Sequence, residues 1–247
     1  MDKTAVEAME AIVARSVKIE VGGKTFARDG HGKFERVLFE PCAETIKIHT
    51  LTGFVDLVRA NVDKLDLKAH LVVVKSPTEV ILCSALFGEG RNRDEIAHIE
   101  VDENLKNYRF GQYQSVEEFI ISLQSLFEES LDRERLIKYV SRVHGGTGFT
   151  LADDGITQIA EVSQGVSGAL TEKETAPKIV NLKPFRTFRD IDQPISSFLL
   201  RLKLIDEKTV GACLYEADGG RWRNAAVKGI QEFLEKNLAG NGLTVIA

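Results

Sequence analysis

The strongest constraint on the fold lies late in the chain, between Pro184 and Val227. From Ile195 to Ile205, Phe198, Leu200, Leu202 and Leu204 alternate with Ser197, Leu199, Arg201 and Lys203. A period of two is that of a half-buried strand, with one face on a core and the other toward water. The polar run Asp206-Glu207-Lys208 then returns the chain into a second apolar segment, Val210 to Tyr215, which predicts a hairpin. After Glu216 to Gly220 a helix is expected from about Arg221 to Leu238, and a last strand, Leu243 to Ile246, ends the sequence.

Two more hairpins are legible. Gly22-Gly23 separates VKIEV from KTFA within Val17 to Ala27, a short-turn signature followed by a loop from Arg28 to Gly32. His70 to Lys75 and Thr78 to Phe87 flank Ser76-Pro77-Thr78, and their near-continuous apolar runs predict a hairpin in mid-sheet with both faces covered. Thr45 to His49, Glu95 to Val101 and Ile156 to Val162 read as further strands. Helical spacing marks Thr4 to Ala14, and Gly53 to Val62 with Thr50 or Thr52 as cap. Ser115 and Glu118 form a capping box for a helix through Leu126 that lines up Phe119, Leu123, Leu126 and Phe127, and Asp132 caps a second, Arg133 to Val143.

The expected class is therefore α+β: a largely antiparallel sheet of hairpins with a central helix pair and a C-terminal helix packed on it. An amphipathic helix within residues 1–16 precedes a single domain over 17–247, in which Thr171 to Ala176 is the best internal linker.

Several function classes lose ground on composition. A net charge of -5 argues against nonspecific nucleic-acid binding, although a local basic groove is compatible with it. Cys42, Cys83 and Cys213 are odd in number, far apart, and in or beside apolar runs, as buried free thiols in a reducing cytoplasm would be. The N-terminal MDKTAVEAMEAIVARS carries Glu7 and Glu10 and no long apolar core, so neither a signal peptide nor a membrane span is expected there, and a cytoplasmic location is. His31, His49, His70, His98 and His144 stand at no metal-ligand spacing, and Asp153-Asp154-Gly155 lacks a calcium-loop series. Phosphate-loop, nucleophile-elbow, kinase and deaminase motifs are missing from the sequence. No metal and no cofactor is expected, and an enzyme is disfavoured.

Three groups are candidates for binding. Gly145 and Gly146, within His144 to Gly148, could form an anion nest, but a helix C-cap accounts for them equally well. Glu216, Asp218, Arg221 and Trp222 around Gly219-Gly220 could recognise a polar ligand, while a turn with Trp222 anchoring the helix is the preferred reading. Arg186 and Arg189 beside Phe185 and Phe188, with Arg201 and Lys203 on the next strand, could stack bases and hold phosphates; a subunit interface or a solvated face is preferred there.

Some segments carry a family resemblance. TLTGFVDLVRANVD at Thr50 to Asp63, the LVVVKSPTEVILCSALF hairpin, YQSVEEFIISLQ at Tyr113 to Gln124, DDGITQIAEVSQGVSG at Asp153 to Gly168 and the PFRTF…QPISSFLLRL…CLYEADGGRW block follow one another in an order that resembles the YfdQ-like family of phage and prophage proteins. The resemblance covers about Thr50 to the C-terminus and implies a phage- or prophage-encoded protein in a bacterial cytoplasm; it implies no site residues. The expectation is a non-enzymatic accessory protein that self-associates and binds a host factor or small anionic ligand. The alternative is a nucleic-acid or nucleotide binder of phage replication or recombination, using Arg186, Arg189, Arg201 and Lys203. An enzyme built on Glu216 and Asp218 ranks third.

Overall fold

A computed structural model describes residues 4, 7, 18–22, 24–28, 33–36, 43–88, 90–102, 104–105, 107–145, 148–153, 158–164, 170–175, 177, 179–205 and 209–247. The chain forms two compact units, Met1–Glu44 and Thr45–Ala247.

In the first unit, β1 (Lys18–Val21) and β2 (Lys24–Arg28) pair antiparallel around Gly22, whose φ of +60° explains the glycine. A third strand not legible in the sequence, β3 (Phe34–Arg36), adds antiparallel to β2. Thr4 and Glu7 are helical; the rest of the expected N-terminal helix and residues 29–32 of the expected loop lie outside the described residues.

The second unit holds two hydrophobic cores, each made by helices on a sheet. One sheet comprises β4 (Ile46–Ile48), β5 (Leu71–Ser76), β6 (Glu79–Cys83), β7 (Glu95–Glu100) and β15 (Thr244–Ile246), in the order β15-β5-β6-β7-β4. The β5–β6 hairpin is flanked on both sides, as its apolar runs predict, while the edge strands β4 and β15 join in parallel. Only one face is fully covered. Val72, Val74, Val80, Leu82, Ala97 and Ile99 are buried, whereas Leu71, Val73 and Ile81 on the other face are half-buried. Regular β6 ends at Cys83, where the Ser84 hydroxyl accepts from Asp94 N (2.9 Å) and the Ser84 carbonyl from Arg93 Nη1 (2.7 Å), and pairing returns at Phe87 only as an isolated antiparallel bridge to Asn92.

Helix α1 (Leu51–Ala60) lies on the covered face. Thr50 is its cap, accepting from Gly53 N at 3.1 Å, and the helix stops before Asn61, whose φ of 38° breaks it two residues earlier than expected. A short 3-10 turn, Leu67–Ala69, leads into β5. The last helix of the chain, α4 (Trp222–Asn237), contributes Ile230 and Leu234 to the same core as Phe54 and Val58.

The other core sits under β8 (Gln114–Ser115), β12 (Val180–Leu182), β13 (Ser196–Leu204) and β14 (Val210–Glu216), in the order β12-β13-β14-β8 and antiparallel throughout. The alternation along β13 is realised up to Leu202: Phe198, Leu200 and Leu202 are buried with Val210, Ala212 and Leu214 of β14, whereas Leu204 at the strand's end is 48% exposed. The helix pair packs here rather than on the first sheet. Helix α2 (Val116–Leu126) carries the expected capping box, with Glu118 N donating to Ser115 Oγ (3.3 Å) and Ser115 N donating to Glu118 Oε2 (3.2 Å). Phe119, Leu123 and Phe127 are buried beneath it, and α3 (Leu131–Gly145) adds Leu136 and Val140. Its first turn is capped by Ser130, which accepts from Arg133 N at 3.1 Å, not by Asp132. Asp132 instead accepts from Asn181 N at 3.1 Å and so satisfies a donor on the edge strand β12.

A third antiparallel sheet runs β11 (Leu170–Thr175), β10 (Gln158–Gln164), β9 (Gly148–Asp153). The stretch read as a linker is thus largely strand: Thr171 and Thr175 bring β-branched residues to a segment whose polarity had suggested a loop. With these sheets the chain is α+β and mostly antiparallel.

Candidate functional site

The segment between β12 and β13 organises the chemistry of the second unit. Among the described residues, Thr187 and Gln193 in this segment and Ser196 at the start of β13 are the fully buried polar ones, each at most 2% exposed. Gln193 folds the segment onto itself: its Oε1 accepts from Arg186 N (3.1 Å) and Thr187 N (3.3 Å), and its Nε2 donates to the carbonyls of Phe188 (2.9 Å) and Ile191 (3.3 Å). A buried amide with all its capacity used specifies one backbone path.

That path reaches both cores. Phe185 N donates to Leu126 O (2.9 Å) and Gln193 N to Glu128 Oε1 (3.1 Å), at the end of α2. Thr187 Oγ1 donates to Pro77 O in the β5–β6 turn, and Phe188 is buried in the core under the five-stranded sheet. Asp190 caps α1 from outside, accepting from Leu51 N (3.2 Å), Thr52 N (2.9 Å) and the Thr52 hydroxyl (2.6 Å). A carboxylate at that position also faces the positive end of the helix.

Arg186 stands at the centre, its side chain 8% exposed. Its guanidinium lies 4.0 Å over the Trp222 ring and 5.5 and 5.6 Å from the Phe110 and Phe198 rings, which are themselves stacked at 5.0 Å. One Nη donates to Glu216 and the other to the Ser196 hydroxyl. Burial pushes the guanidinium below its ordinary value, and Glu216 and Asp218 oppose that shift. Asp218 accepts from Gly220 N at 3.0 Å across a turn in which Gly219 (φ +63°) and Gly220 (φ +79°) take left-handed conformations, and this turn delivers Trp222 to the start of α4. Burial would raise the Asp218 carboxyl, but the Ser196 hydroxyl, the Gly220 N–H and the Arg186 charge outweigh it and hold it below its ordinary value.

Four of the sequence candidates, Arg186, Glu216, Asp218 and Trp222, are therefore brought together, as a buried clamp. The depressed pKa of Asp218 makes it a weak base, and Glu216 is taken up by Arg186, so this group is poorly suited to proton transfer. The remaining candidates are elsewhere. Arg189 is exposed and stacks on Phe185 at 4.0 Å, Gly145 is the last residue of α3, and Gly146 lies outside the described residues. Arg186 and Phe188, expected on a subunit interface or a solvated face and weighed as part of a basic surface, are both inside, because the Gln193 folding turns the segment inward.

Arg201 and Lys203 lie on the outer face of the β12-β13-β14-β8 sheet, with partners the sequence did not single out. In the β13–β14 register Leu199 faces Tyr215, Arg201 faces Cys213 and Lys203 faces Gly211. Tyr113, just before β8, joins them: the Lys203 ammonium lies 4.0 Å from its ring centroid, while the Ile205 side chain fills the space that a side chain at Gly211 would take. Burial raises the Tyr113 phenol, with Tyr215 and Cys213 adding to the shift and Arg201 opposing it. Tyr215 is 40% exposed, with Gly111, at a φ of +75°, lying beside one edge of its ring. Cys213 is buried beneath the group, a free thiol raised by burial; Cys83 is also buried and free. The face was partly legible: alternation puts Arg201 and Lys203 on it, but Tyr215 joins them only once the hairpin register is known.

Among the described residues no group of His, Cys, Asp and Glu is arranged to hold a metal ion, and no helix is long and apolar enough to cross a membrane. Compared with protein-family models, with curated proteins and with solved structures, the chain gives no match.

Proposed function

We propose that this chain is a non-enzymatic accessory protein of phage or prophage origin, working in the bacterial cytoplasm, which self-associates and binds a small anionic ligand on the outer face of the β12-β13-β14-β8 sheet. The observation that carries the reading is the composition of that face. Arg201, Lys203, Tyr113 and Tyr215 gather there, and among its described strand residues, Asn181, Ser197, Leu199, Arg201, Lys203, Gly211, Cys213, Tyr215 and Ser115, there is no carboxylate. In a chain of net charge -5 this face sets two cations beside two tyrosines, and a sheet holds them rigid. The use of Glu216 and Asp218 within the Arg186 clamp supports binding over catalysis. The phage setting is supported by the segment order described above, and self-association by the half-buried Leu71, Val73 and Ile81 on the second face of the five-stranded sheet, beside Ile246 at 44% exposure.

Native mass spectrometry of the purified protein tests both parts at once. A closed oligomer carrying an anionic mass that Lys203→Ala removes is the expected result. A bare monomer that takes up no phosphate would overturn the proposal.

A further inference from the structure

The same face has an aromatic half and a basic half, arranged in order along the strands. The row of Leu199 and Tyr215 is followed by that of Arg201, and then by that of Lys203. Successive same-face residues on a strand are about 6.6 Å apart. The ring of Tyr215, 40% exposed and paired across the strands with Leu199, is thus one step from a guanidinium and two from an ammonium. Lys203 already covers the Tyr113 ring, so the free aromatic surface is that of Tyr215. An inorganic anion would use only the basic half.

From this order we infer that the ligand is a nucleotide, its base stacked on Tyr215 against Leu199 and its phosphate between Arg201 and Lys203. The inference rests on the reading of this face as an anion site and adds the base to it. A stacked base contributes a sequence-tolerant attraction because every base has a π-face, whereas the phosphate is held by charge and is sensitive to salt. The shared chemistry, a base joined to a phosphate, is offered both by free nucleotides and by single-stranded nucleic acid.

Calorimetric titration of the intact protein with AMP, ribose 5-phosphate and inorganic phosphate separates the contributions. AMP is expected to bind roughly five- to a hundredfold more tightly than ribose 5-phosphate. Tyr215→Leu, which keeps an apolar cover on Cys213, should erase that preference, and Lys203→Ala should weaken all three probes. Oligoadenylate binding more tightly than AMP, with a steeper salt dependence, identifies single-stranded nucleic acid as the source; equal affinity identifies the free nucleotide. Equal binding of AMP and ribose 5-phosphate overturns the base inference and leaves the anion site standing. Failure of all three probes to bind removes both.

Discussion

Replacing Arg186 by Met tests whether the clamp holds the second unit together. Methionine keeps much of the side-chain volume over Trp222 and Phe198 but removes the charge from a position only 8% exposed, leaving Glu216 and Asp218 without their cation. Breaking a buried pair by removing one partner costs about 3–5 kcal/mol. Glu216 is 31% exposed and regains water, which favours the lower end, about 3 kcal/mol. For a domain of this size each kcal/mol lowers Tm by roughly 2–4 °C, so a fall of about 6–12 °C is expected. Urea unfolding followed by far-UV circular dichroism gives the free energy, and the fluorescence of Trp222, the sole tryptophan, reports the clamp itself. Glu216→Gln alone should cost less, and the double variant should cost less than the two changes summed, because both act on one contact. A loss below about 1 kcal/mol for Arg186→Met is what a solvated surface charge would give, and would refute the reasoning.

Asp218 links the clamp to pH. Its folded pKa is depressed, so its contribution is present above the ordinary value of 3.8 and is lost as pH falls through the lower folded value. Urea midpoints from about pH 5 down to about pH 2 should therefore fall less steeply for Asp218→Asn than for the parent. Asp190→Ala removes three hydrogen bonds from the first turn of α1 and should cost about 1–2 kcal/mol in the same unfolding assay, with no change in ligand binding. Gln193→Met leaves the N–H groups of Arg186 and Thr187 unpaired in a buried segment, at about 1–3 kcal/mol each, and should expose that segment to hydrogen exchange before the sheets open.

The elements were largely legible because each follows a local rule. The period of two along β13, the Ser115–Glu118 capping box and the Gly22 turn all act within a few residues, and the structure carries them. What was not legible depends on long-range partners. Ser130 rather than Asp132 caps α3 because Asp132 is drawn to Asn181, forty-nine positions away. The division into separate sheets, with parallel β4 and β15 at the edges of one, rests on pairings that no local pattern encodes. For the site, proximity in sequence was a good guide to Glu216, Asp218 and Trp222, which share one turn, and a poor one to Arg186 and Arg189. These arginines are three residues apart, yet Gln193 turns one inward and leaves the other outside. Tyr215 gave no signal because a tyrosine ending an apolar run reads as core, and Tyr113 gave none because it stands between Gln112 and Gln114, ahead of any patterned run.

Titration of inorganic phosphate into isotopically labelled protein, followed by backbone amide chemical shifts, tests the proposed anion face most directly. Shifts that saturate and gather at Tyr113, Arg201, Lys203 and Tyr215 are the predicted result. Saturating shifts centred elsewhere, or none at these four residues, would contradict it.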